Sequence, residues 1–345
     1  MNLLSWRLFS MALLMAFAIA MPTVVKAQAQ PMTEIPLGSG TSSGTTLSGG
    51  STQTTGGTIT TVDGETGGGT FVATPSTNGP EAAAFDGTYV WVATQFNDSI
   101  TRIRVKDSTI AGSFVVGKRP VALLYAASYL WVANYLSNNV MKIAPSTGAI
   151  VATYNTGEGP GGLAFDGTNI WVANRIGNTV TKLKATNGSN GGTFAVGKRP
   201  VGITYFANAV WVANNFGNSV TKLSTSGAVL GTYATGRGSY GVAGAGDSVY
   251  VTNFFGKTMT RIRAADGVNL GTFNVGDGAS GIIYDGSTLW IALHGDDALV
   301  RVSPSNGSII STYATGNGPF SIAFDGVKVW VPNSGSDSVS VTAAN

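Results

Sequence analysis

Seven aromatic residues about 40 positions apart, a strand pattern repeated in each interval, and 48 glycines in 345 residues predict an all-β chain, a seven-bladed β-propeller with four antiparallel strands per blade. The aromatics are Trp91, Trp131, Trp171, Trp211, Tyr250, Trp290 and Trp330, separated by 40, 40, 40, 39, 40 and 40 residues. Seven such units account for the whole chain from residue 69 onward. With no cysteine, disulfide scaffolds, thiolate metal sites and cysteine nucleophiles are excluded. Hydrophobic residues at 43% are ample for a core.

The elements follow in chain order. Residues 1–29 carry one early charge, Arg7, then an apolar stretch from Leu8 to Met21, then small residues ending in Ala27-Gln28-Ala29. This order reads as a secretory signal peptide, the apolar run being short for a membrane anchor. Removing Arg7 and Lys26 leaves 18 basic against 17 acidic residues, so the formal +3 falls to +1 and overall charge points to no polyanion partner. Residues 30–68 are mostly Gly, Ser and Thr, too poor in apolar surface to offset the entropy of ordering, and read as a flexible tether.

Residues 69–345 read as the propeller. In one unit, Gly162–Phe165 is a strand, Asp166-Gly167 a tight hairpin turn and Ile170–Ala173 the second strand; Thr179–Leu183 and Gly192–Val196 follow as third and fourth. The first two are nearly continuous apolar runs, as expected where both faces of a blade pack on neighbours. Gly69–Ala73 matches a fourth strand without the first three, and the C-terminal unit has three strands without a fourth. The ring is therefore expected to close through an N-terminal strand completing the C-terminal blade, which removes open edges.

The sequence Tyr250-Val251-Thr252-Asn253, with Trp-Val-Ala-Asn at 131–134, 171–174 and 211–214, resembles the YVTN β-propeller repeats over residues 69–345. The resemblance implies an exported bacterial or archaeal propeller of the periplasm or cell surface, and no single activity. Pro160-Gly161-Gly162-Leu163 and Pro200-Val201-Gly202-Ile203 are also similar to repeats of streptogramin (virginiamycin B) lyases. That likeness implies catalytic histidines directly after the proline, with a glutamate and magnesium. The matching positions here are Glu81, Val121, Gly161, Val201, Tyr240, Ser280 and Phe320, none of them histidine, and the single histidine, His294, lies in another loop. An acid or base of that pattern is missing.

Residue types common to most blades read as structural. The aromatic fills space between blades. Asn134, Asn174, Asn214, Asn253 and Asn333, with Asp98, Asn138, Asn178, Asn218, Asp297 and Asp337 in the following loops, are expected to pin turns, calcium being the alternative. Arg102, Lys142, Lys182, Lys222, Arg261 and Arg301 are expected to pack their stems on the next blade.

What does not repeat points to function. The loops leading into each first strand share a face with the loops between second and third strands, and that face collects Lys118, Arg119, Arg175, Lys198, Arg199, Phe216, Arg237, Phe254 and His294. Guanidinium groups beside rings suit carboxylate, phosphate or stacked aromatic partners. His294 with Asp296 and Asp297 is a weaker metal candidate. The expectation is an exported, monomeric, non-catalytic propeller binding a ligand or protein on this face. It has no cofactor, no membrane insertion once the leader is removed, and nucleic acid as the disfavoured partner. A metal-dependent lyase-like enzyme and a single-stranded nucleic-acid binder are the alternatives.

Overall fold

The computed structural model describes residues 29–37 and 78–344, which form seven four-stranded antiparallel sheets. Blade 1 runs from its innermost strand, Pro80–Phe85, to its outermost, Ile110–Val115. The blades that follow span Pro120–Ala126 to Ile150–Asn155, Pro160–Phe165 to Asn190–Ala195, Pro200–Phe206 to Val229–Ala234, Ser239–Ala245 to Asn269–Asn274, and Ala279–Tyr284 to Ile309–Ala314. Blade 7 takes Ala323–Phe324, Lys328–Asn333 and Ser338–Ala343. Its outermost strand is Thr33–Pro36, antiparallel to Ser338–Ala343 with Ile35 opposite Val339.

The expected tether thus contains a strand. Ile35 and Leu37 alternate inward, 7% and 3% exposed, and Ile35 packs among Ala83, Val90, Trp330 and Val339 of blades 1 and 7. Pro36 is tolerated because an outermost strand leaves one row of backbone groups unpaired. The fourth-strand match at 69–73, the rest of the tether (38–68) and the leader up to residue 28 lie outside the described residues.

Each repeated residue has a packing role. The six tryptophans of the blades are fully buried and each packs toward the next blade, as Trp91 does against Leu130 and Val132. In blades 1, 3, 6 and 7 the indole Nε1 donates at 2.7 Å to the aspartate of the Asp-Gly hairpin: Asp86, Asp166, Asp285 or Asp325. The other carboxylate oxygen accepts the turn's own backbone N–H groups, as Asp166 does from Thr168 and Asn169. One side chain therefore closes the hairpin and orients the ring. The glycine that follows has φ near +95°, which excludes most side chains there.

Two further repeats join blades. Asp98, Asn138, Asn178, Asn218, Asp297 and Asp337 sit in the left-handed region and accept backbone N–H groups from the loop leading into the next blade, at 2.7–3.0 Å. These carboxylates and amides are thus engaged with backbone. The fifth blade has Lys257 at this position and substitutes an ion pair to Asp277 at 2.6 Å. The third-strand cations lie beside the buried rings, 5.2–5.8 Å from the centroids. Five of them also donate to carbonyls about 43 residues on, as Lys142 Nζ does to Ala185 O at 2.9 Å. The buried asparagines donate to the third strand, with Asn174 Nδ2 3.0 Å from both Thr179 and Thr181 hydroxyls, and Asn214 Oδ1 also accepts the Gly197 N–H of the loop into its blade at 3.0 Å.

Candidate functional site at the channel mouth

Strands alternate direction, so the loops leading into the innermost strands and those between second and third strands crowd one end of the central channel. Their backbones are directly bonded, Tyr135 N to Arg119 O and Arg175 N to Gly159 O among them. Beneath them lies a channel cavity of about 170 Å³, walled by Val121, Leu123, Val201, Ile203, Ile282 and Ile322. Glu81, Arg175, Tyr240 and Phe320 complete its lining.

One half of the mouth is charged. Arg175, from blade 3, reaches to Glu81 of blade 1, with Nη2 to Oε1 3.6 Å and side chains only 12% and 6% exposed. That distance is an ion pair without a full hydrogen bond, since charge-assisted bonds run nearer ~2.8 Å. Arg175 also donates to Gly161 O at 3.1 Å, while its buried Nε has no hydrogen-bond partner. The guanidinium lies across Gly161, where an added Cβ would stand 2.1 Å from Nε, so glycine there lets the Arg175 side chain lie in this position. Burial pushes the Glu81 carboxyl up; Arg175 and then Arg119 pull it back only in part. Burial likewise raises the Tyr240 phenol, whose hydroxyl neighbours the same guanidinium. Arg119 donates to Gln95 Oε1 at 3.1 Å and sits 5.1 Å from the Tyr135 ring.

The other half is a closed circuit of four rings from blades 5 to 7. Tyr240 lies 5.7 Å from Phe254 and 5.5 Å from Phe320, and His294 lies 5.7 Å from Phe254 and 4.8 Å from Phe320. Such tilted and edge contacts suit aromatic quadrupoles. Outside both halves stands a rim of exposed apolar side chains at one equivalent loop position in blades 1 to 5: Phe96, Leu136, Ile176, Phe216 and Phe255.

A backbone feature marks two of the basic residues. At the position that precedes the innermost strand, or in blade 7 the Pro319 bridge to Asn333, five blades carry glycine with positive φ: Gly79, Gly159, Gly238, Gly278 and Gly318. Blades 2 and 4 hold Arg119 and Arg199 in the same left-handed conformation, φ 55° and 51°. A side chain there costs on the order of 1 kcal/mol relative to glycine, so these arginines are kept against the local preference of the fold.

The nine residues expected from sequence all lie on this end of the molecule, in three groups. Arg175, Phe254 and His294 converge on the mouth, with Arg119 beside them. Arg199 stacks on exposed Phe216 at 4.6 Å, forming the rim. Lys118, Lys198 and Arg237 are exposed farther out, Lys118 being paired with Asp98 at 2.6 Å. Sequence reasoning missed Glu81, Tyr240 and Phe320 as site residues. They stand at three of the seven positions matched to the lyase histidines, where an acid, a phenol and a phenyl depart from the small and aliphatic residues of the other four blades.

No family model and no curated sequence matches the chain. Solved structures do. A streptogramin B lyase aligns with a TM-score of 0.68 at 20% identity, covering 79% of this chain and 95% of that one. A catalytically inactive virginiamycin B lyase from Staphylococcus aureus with quinupristin gives 0.69 at 20%, covering 78% and 96%. Hydrazine synthase of Kuenenia stuttgartiensis gives 0.69 at 17%, covering 80% and 98%. At these identities the likeness shows the fold, a seven-bladed propeller, and nothing finer.

Proposed function

We propose that this chain, a propeller of YVTN-like repeats, is an exported, non-catalytic binding module that takes its ligand at the channel mouth. The observation that carries the reading is the pair Arg119 and Arg199, held in a left-handed conformation that five other blades give to glycine. The fold accepts this cost twice, beside a buried ion pair and four clustered rings, for side chains whose own contacts are a part-exposed hydrogen bond to Gln95 and rings at the mouth and rim. The gain is a cationic, aromatic-lined opening suited to an anionic or planar partner. Export rests on the leader-like residues 1–29.

The test is a thermal-shift screen of the full chain against organic acids, glycans, metal ions and oligonucleotides, repeated on the double variant R119G/R199G. The reading expects a stabilising ligand whose shift is lost in the variant while the unliganded melting temperature is kept. A ligand that stabilises both proteins equally would overturn it.

One observation favours a second reading, a lyase-type activity like that of the structural neighbours: the only histidine stands in the mouth's aromatic circuit. That reading expects turnover of a cyclic ester, lost in His294→Ala.

A further inference from the structure

The binding role proposed above leaves the chemistry of the ligand open, and the cavity beneath the mouth narrows it. The cavity has two unlike ends. Much of its lining is aliphatic, from Val121, Leu123, Val201, Ile203, Ile282 and Ile322, and the Arg175 guanidinium, with Glu81, Tyr240 and Phe320, supplies the rest. A volume of about 170 Å³ is comparable to the roughly 150 Å³ apolar cavity that holds one benzene ring. Arg175 is nearly buried, yet among the described residues it donates at a short distance to Gly161 O, its carboxylate partner stands off at 3.6 Å, the Tyr240 hydroxyl is its other polar neighbour, and its Nε is left unpaired. A guanidinium carries five donors in a planar fork that matches a carboxylate.

We propose that the channel binds a small monocyclic carboxylate, the ring seated in the aliphatic cavity and the carboxylate held by Arg175. The site takes one ring, because the volume is exhausted by it. It discriminates by charge, because a neutral hydroxyl accepts at most single neutral hydrogen bonds where a carboxylate forms a charge-assisted fork, and a cationic head group opposes the guanidinium. Glu81 is the competing anion. An incoming carboxylate beside it favours the protonated form of Glu81, so replacing Glu81 by glutamine removes the competition and strengthens binding.

The experiment is calorimetric titration of the full chain with benzoate, benzyl alcohol and benzylammonium. Benzoate is expected to bind at least tenfold more tightly than either isostere. R175M reduces benzoate to the level of benzyl alcohol, E81Q tightens benzoate, and V201F, which fills the cavity and leaves Arg175 in place, abolishes binding of both. If R175M fails to fold, G161A serves in its place, since its new Cβ displaces the guanidinium without removing the charge. Benzoate binding that is no tighter than that of benzyl alcohol, that survives R175M or V201F, or that gives way to benzylammonium overturns the proposal. Should no ring compound bind while another ligand is lost in R119G/R199G, the monocyclic carboxylate is refuted and the binding role stands.

Discussion

The closing strand offers a sharp quantitative test, because two segments of the chain compete for the place. Thr33–Pro36 is seated against Ser338–Ala343, whereas residues 69–73 repeat the Gly-Thr-Phe found at 192–194 and 271–273 in two other outermost strands. Ile35→Ala removes three carbons from a side chain that is 7% exposed between blades 1 and 7. At ~0.8 kcal/mol per buried carbon the loss is about 2.5 kcal/mol, and for a domain of this size each kcal/mol moves the melting temperature by roughly 2–4 °C. The expected fall is therefore about 5–10 °C, read by circular dichroism or differential scanning calorimetry. Deleting the chain through Leu37 removes the whole strand and the Asn78 Nδ2 bond to Leu37 O at 2.5 Å, and lowers the melting temperature further. Phe71→Ala leaves it unchanged. If the truncated protein melts with the full chain and Phe71→Ala destabilises, the reasoning is refuted and residues 69–73 form the closing strand.

Three other outcomes follow from the same contacts. Hydrogen bonds from Asn169, Trp171 and Thr168 outweigh burial and hold Asp166 below the usual carboxylate range, and a similar set depresses Asp285. A depressed native pKa gives stability that is present above about pH 4 and is lost as pH falls through the native value, so the double variant D166N/D285N should flatten the acid limb of a stability–pH curve. Lys142→Met leaves the Ala185 and Thr186 carbonyls without their Nζ donor and should cost about 1–3 kcal/mol in urea unfolding, whereas Lys257→Met, at a solvent-screened exposed pair, should shift the unfolding midpoint far less. Arg199→Gly should leave stability within about 1 kcal/mol of wild type, because relief of the left-handed backbone offsets the lost contact with Phe216.

The fold was legible because its signal is local and repeated. A buried tryptophan every 40 residues, an Asp-Gly turn before it and a cation after it are all demands of one blade on its neighbour, made several times over. Thr33–Pro36 was not legible: four residues that end in a proline and follow Pro31 carry almost no periodic signal, and only tertiary contact with blades 1 and 7 selects them. The site was legible in part. Arg175, Phe254 and His294 stood out because they occupy a loop position that differs in every blade. Glu81 and Tyr240 were hidden by distance, since their partner Arg175 lies 94 and 65 residues away along the chain and only the circular arrangement of blades 1, 3 and 5 brings them together. The cost of a left-handed Arg119 and Arg199 is a backbone property, and their side-chain types alone do not disclose it.

Amide hydrogen exchange of the full chain, with and without a ligand that stabilises it, tests the central claim most directly. The account predicts protection around the mouth, at residues 79–82, 119–122, 174–177, 238–241, 293–295 and 318–321, and little change at the opposite hairpins near 86–88, 166–168 and 285–287. Protection concentrated at those hairpins, with the mouth unaffected, would contradict it.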